Sequence, residues 1–102
     1  MQKTFTAKIN WRPANMGGRK TLPEGDCYGP IILREGDDIE NPADKAYWSI
    51  LVKIIEVTDT TTIAKMKYLT PFAPDNLFVG TAFRLYEGKR EVATGVVIGV
   101  EQ

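Results

Sequence analysis

Apolar and polar residues alternate along much of this chain, with a period of two. Phe5, Ala7, Ile9 and Trp11 are separated by Thr6, Lys8 and Asn10. Successive side chains of a strand point to opposite faces, so the pattern predicts a half-buried strand over residues 3–12. Pro13 ends it, because proline has no N–H for a central ladder. Residues 28–33 predict a short strand, with Pro30 marking an edge or a bulge. Residues 47–57 predict the strongest one. There Trp48, Ile50, Val52 and Ile54 fall on one face, and Tyr47, Leu51, Ile55 and Val57 on the other. Two apolar faces imply burial on both sides, or an outer face covered by a loop or a partner. Thr58-Asp59-Thr60-Thr61 reads as a turn, and residues 62–69 return antiparallel.

A second hairpin is predicted from residues 82–86 and 91–100 around Gly88-Lys89. Glycine at the first central position suits a type II′ turn. A plain two-residue turn sets Leu85 opposite Val92 and Phe83 opposite Thr94. Gly95 and Gly99 within the second strand predict bends or close backbone approach. Residues 75–80 fit no single element. Between the strands lie a long Gly/Pro-containing loop at 14–24 and an acidic segment at 34–45, where Pro42-Ala43-Asp44-Lys45 has room for one helical turn. Six strands joined by Gly/Pro turns, with almost no helix, predict an all-β domain. Its form is a small closed six-stranded antiparallel barrel spanning residues 1–102.

Composition narrows the chemistry. The 102 residues suffice for one domain with one core. Histidine is absent, which removes the commonest general base and metal ligand near neutral pH. Cys27 is the single cysteine, so there is neither an internal disulfide nor a thiolate zinc cluster. The chain is expected to act in the cytoplasm, without a membrane span, a cofactor or a metal. Thirteen basic and thirteen acidic residues give zero net charge, which argues against nucleic acid as the main partner.

The last hairpin carries a likeness. Phe83, Glu87, Gly88, Arg90, Val92, Gly95, Val96 and Val97 match, without gaps, the pattern F-x-I-R-E-G-G-R-T-V-G-A-G-V-V. That pattern belongs to the third, C-terminal domain of bacterial elongation factor Tu, which this segment resembles. Gly17-Gly18-Arg19-Lys20-Thr21 is similar to the family's G-G-R-H-T loop, Tyr28-Gly29-Pro30 to its Y-R-P, and Leu69-Thr70-Pro71-Phe72-Ala73 to its L-I-x-P-x-A stretch. The resemblance implies a six-stranded antiparallel barrel, a protein partner related to translation, and contacts near the T-stem of tRNA. Glu87 matches the family's T-stem glutamate, and Gly18, Arg19 and Thr21 match the loop near the tRNA and the GTPase domain. Ile31 stands where the family has a tRNA-contacting glutamine, and Gly29 where it has arginine. No G-x-x-x-x-G-K-[ST] loop is present, so no nucleotide is expected.

The expected function is therefore binding, not catalysis, with a protein partner contacted through the long loop and an apolar outer face. Candidate contacts are Gly18, Arg19, Lys20, Thr21, Glu87 and Arg90, with Tyr47 and Tyr68 as aromatic contacts. The bland alternatives are a simple Glu87–Arg90 pair beside the turn, solvated charge around Arg12, Arg19 and Lys20, and a core role for the aromatic rings. A second reading is an RNA-binding module that uses Arg19 and Glu87. A third is a small hydrolase with Asp37 and Glu40 as paired carboxylates. Asp37, Asp38, Glu40 and Asp44 also offer oxygen ligands for a cation, though without EF-hand spacing. Cys27 beside Asp26 reads as a small buried residue.

Overall fold

The computed structural model describes residues 3–13, 28–34, 48–58, 61–70 and 77–101. Among these residues six strands form: β1 (Thr4–Trp11), β2 (Ile31–Arg34), β3 (Trp48–Thr58), β4 (Thr61–Tyr68), β5 (Ala82–Glu87) and β6 (Arg90–Glu101). Each overlaps a strand expected from the sequence, although β2 begins three residues later than the expected 28–33. Tyr28 contributes only an isolated bridge to Val52, because Pro30 delays the start of β2. The Pro30 carbonyl still accepts a hydrogen bond from the Ile50 amide at 2.9 Å. The helical turn expected at 42–45 lies outside the described residues.

The strands close into one antiparallel ring in the order β1-β4-β3-β2-β5-β6, with β6 returning to β1. β2, β3 and β4 run as neighbours while β1 lies beyond β4, which is Greek-key connectivity. Directions alternate around the ring. β1 therefore ends, and β2 begins, at the same end as the 59–60 and 88–89 turns. β2 and β4 end, and β3 and β5 begin, at the opposite end.

Inward positions fill the ring. Phe5, Ala7 and Ile9 of β1 meet Ile50 and Val52 of β3, Ala64, Met66 and Tyr68 of β4, and Phe83 and Leu85 of β5. Leu77, just before β5, is fully buried with them. Complete burial of one such side chain contributes about 1.5–3 kcal/mol. The one buried polar side chain among the described residues is Thr62, whose Oγ1 accepts a hydrogen bond from Trp11 Nε1 at 2.8 Å. The Trp48 indole N–H, by contrast, is buried without a partner among the described residues.

Three bulges set the register. In β5–β6, Glu87 pairs with Arg90 and Tyr86 with Glu91, but Leu85 then pairs with Ala93. Val92 is the extra residue. Phe83 therefore faces Gly95, not Thr94, and Leu85 faces Ala93, not Val92; the plain hairpin register expected from the sequence is off by one. Gly88 itself has φ 65°, as the first central position of a primed turn requires. Ile98 is the extra residue against β1, and Ile55 the extra residue against β4. An extra residue of this kind bends its strand and tightens the twist, which assists closure.

Candidate interaction surfaces

The sequence directs attention first to the end of the ring that holds the Gly88-Lys89 turn. Glu87 and Arg90 are directly opposed across that turn, and Arg90 Nη2 donates to Glu87 Oε1 at 2.9 Å. The other carboxylate oxygen accepts from Tyr28 Oη at 2.7 Å. Tyr28 in turn lies against Trp11, with ring centroids 6.1 Å apart. One residue on, Arg12 forms an ion pair with Glu91, and its backbone N–H donates to the Val92 carbonyl at 2.8 Å. Both oxygens of Glu87 are thus committed within the chain. The tip is a self-paired cluster that ties β5 and β6 to the end of β1 and the approach to β2. Gly18, Arg19, Lys20 and Thr21 belong to the connection whose two ends meet this cluster, but they lie outside the described residues. So do Tyr47, Cys27 and the carboxylates of Asp37, Asp38, Glu40 and Asp44.

Tyr68 is not on the outer surface. It pairs with Ile50, faces inward, is 8% exposed and sets its ring edge against Phe5 at 6.2 Å. The register of β4 decides this, because Thr62, Ala64, Met66 and Tyr68 share the inward side. Its reading as an aromatic contact gives way to a core role.

The outer face of β3 is only partly as the sequence suggests. Ile55 is exposed at 51%, but the bulge there turns Val57 to the side of inward Thr62, where it is exposed at the strand's end. Leu51 is half-covered, its side chain close to Gly29. The outward side of β2 and β5 is closed: Leu33 and Tyr86 point away from the core by register, yet are 5% and 6% exposed. Arg84 lies 5.7 Å over the Tyr86 ring on that side.

Two surfaces were not foreseen. The first is the turn at residues 78–81, where the Thr81 amide donates to the Phe78 carbonyl at 2.9 Å and the Phe78 amide to Thr81 Oγ1 at 3.0 Å. Gly80, at φ 94°, takes the third position, as a type II turn demands. Its amide donates to the Val97 carbonyl at 2.8 Å, and the Val97 amide returns to the Thr81 carbonyl at 2.9 Å. Leu77 is fully buried while Phe78 and Val79 remain exposed, as does Ile98, the residue after the Val97 that this turn pairs with. Three successive apolar residues before Gly80-Thr81 were the available signal, since only one of them can face inward at a ring's end.

The second surface is electrostatic. Ten of the thirteen Lys and Arg lie among the described residues, against four carboxylates: Glu56, Glu87, Glu91 and Glu101. The described residues thus carry a net charge of +6, and the remaining residues offset it. Zero net charge is the sum of two opposed parts. On the outward side of β1, β4 and β3 stand Lys8, Lys65, Lys67 and Lys53. Lys65 pairs with Glu101, and its hydrogen bond first and its charge second hold that carboxyl below the ordinary glutamate range.

Among the described residues no helix is long and apolar enough to cross a membrane. No family model matches the chain, and no curated protein matches it in sequence.

Proposed function

We propose that this chain is a non-catalytic binding domain that docks a protein partner on side chains of the ring's outer surface. One observation carries the reading. Large hydrophobic side chains, among them Ile55, Phe78, Val79 and Ile98, stand exposed on well-paired backbone. Singly exposed aliphatic residues such as Ile55 are ordinary, but Phe78 and Val79 are adjacent on a turn hydrogen-bonded to Val97, the residue before exposed Ile98, and a local apolar group of that kind is a feature of interaction sites. Every strand has a neighbour on both sides, although β2 and β3 pair only at Ile31–Ser49 and Ile32–Trp48, so most strand edges among the described residues are covered, which favours recognition by faces and ends. The likeness of the last hairpin to the third domain of elongation factor Tu supports a translation-related partner such as a GTPase, acting in the cytoplasm. That step is analogy from fold to function.

The RNA-binding reading keeps one specific support, the surplus of Lys and Arg on the strands. Against it, Glu87 is paired within the chain. The test is retention on the immobilised full chain, compared with retention on Ile55→Asp and Phe78→Asp variants that keep the wild-type spectrum. A protein held by the wild type and lost from one of the variants is expected. Retention of RNA alone, or of proteins held equally by all three, contradicts the reading.

A further inference from the structure

The pairing registers assemble the outward face of β1, β4 and β3 row by row. Lys8 is opposite Ile63, and Ile63 is opposite Glu56. In the next row Thr6 is opposite Lys65, and Lys65 is opposite Lys53. In the row after that Lys67 is opposite Leu51. The bulged Ile55 lies beside this set and is exposed. We infer that this face receives an acidic peptide segment, whose carboxylates meet Lys8, Lys53, Lys65 and Lys67 and whose apolar side chains meet Ile55 and Ile63. The inference rests on the protein-binding reading and specifies the partner's chemistry.

The lysines are arranged against the interest of the fold. Like charges directly opposite on adjacent strands destabilise a sheet, and Lys53 faces Lys65. The other directly opposed charged pair among the described residues, Glu87 and Arg90, is complementary. Lys8, Lys53 and Lys67 make no hydrogen bond or ion pair among the described residues. Glu101 answers the charge of Lys65 within the chain, whereas Lys8, Lys53 and Lys67 keep theirs, and local arrangements that oppose stability tend to mark functional positions. An external set of carboxylates removes the repulsion.

Size and chemistry select the occupant. Three strands about 4.8 Å apart and three rows about 6.7 Å apart, with side-chain margins, give a face of roughly 300 Å². A folded partner needs about 800 Å² on each side, so the face suits a segment. A second copy applied to the same face would set lysine against lysine. Nucleic acid would satisfy the lysines but leave Ile55 and Ile63 without apolar contacts. These outward positions also carry no arginine and no aromatic ring, the groups that clamp phosphates in pairs and stack bases. A segment with both carboxylates and aliphatic side chains answers both features.

The test is an amide-resolved NMR titration of the full chain with a short synthetic peptide of glutamates and leucines. Three further titrants are the glutamine version of the peptide, a short RNA duplex, and vesicles of phosphatidylserine and phosphatidylcholine. Shifts confined to β1, β3 and β4 with the glutamate peptide are expected, with affinity falling about tenfold in a Lys53→Glu/Lys67→Glu variant. Lys53→Glu replaces a like pair by an opposite one, so its melting temperature is expected to hold or rise; weaker binding is then not unfolding. No shift with the glutamate peptide overturns the inference. Equal shifts with the glutamine peptide overturn its acidic part and leave the protein-binding reading standing. Tighter, lysine-dependent binding of RNA or vesicles overturns both.

Discussion

Gly95→Ala is the most severe single-atom test of the packing. The backbone of β6 passes so close to β1 and β5 that a Cβ at this position would lie 2.5 Å from Phe83 Cζ, 2.9 Å from Phe83 Cε1 and 2.8 Å from the Lys8 carbonyl oxygen. Ordinary contact begins near 3.4 Å, so the Phe83 ring must retreat by about 0.9 Å. It has nowhere to go, because it is fully buried among Leu85, Ile9 and Val97. The Lys8 oxygen belongs to the paired backbone of β1 and moves less readily still. Overpacking of a close-packed core costs about 1–3 kcal/mol, and a second clash with backbone places this case in the upper half of that range. For a domain of this size, about 2–3 kcal/mol lowers the melting temperature by roughly 10–20 °C. Gly99→Ala is the matched control. Its Cβ would meet Thr6 at 3.6 Å, an ordinary contact, so a change within about 1 kcal/mol of zero is expected, towards higher stability through reduced chain entropy. Thermal and urea unfolding measure both. Because Phe83→Leu shortens the clashing ring, its cost and that of Gly95→Ala should add to more than the double variant shows. Equal stability of the two alanine variants would refute the argument.

The two tryptophans are expected to respond differently to replacement by phenylalanine. Trp11→Phe removes the donor to the buried Thr62 hydroxyl and costs about 1–2 kcal/mol. Trp48→Phe removes an N–H that has no partner among the described residues, so it costs about 1 kcal/mol less than Trp11→Phe in urea unfolding. Gly88→Ala places a side chain at φ 65° and costs about 1 kcal/mol, with the loss concentrated in amide exchange at the tip of β5 and β6. Glu101 titrates below the ordinary glutamate range because Lys65 favours its ionised form. Its folded pKa is depressed, so its contribution is present above the unfolded pKa and is lost as pH falls through the folded one. Carboxyl-resolved NMR is expected to show the Glu101 titration moving up towards the ordinary range in Lys65→Met.

Strand positions were readable in the sequence because burial on one face forces a period of two. The inward set of β1, Phe5, Ala7 and Ile9, follows directly from it, whereas the inward place of Tyr68 in β4 emerges only from the register. Register was less readable, since a bulge adds one residue without a distinctive composition. Val92 and Ala93 are both buried in succession, and that pair of small apolar residues is the only local sign of the offset that puts Phe83 on Gly95. The same limitation hid the lysine face. Counting back from the Thr58–Thr61 turn without a bulge sets Lys53 opposite Met66; the extra Ile55 sets it opposite Lys65. Net charge concealed the face further, because opposite signs sit in different parts of the chain. The Glu87–Arg90 pair was legible from spacing alone, whereas the commitment of the second Glu87 oxygen to Tyr28 joins residues 59 positions apart and requires the fold.

Every assignment of an inward or outward side chain depends on β1 and β6 sealing the ring. Hydrogen exchange at single-amide resolution measures that seal. In a closed sheet, successive amides of β1 point alternately at β4 and β6, so those from Phe5 through Asn10 should all exchange slowly, and the β6 amides from Val92 to Val100 should do the same apart from those at the bulges. Slow and fast exchange alternating along β1 would mean an open edge, returning strand addition as the mode of recognition and leaving the outer-face account without its frame.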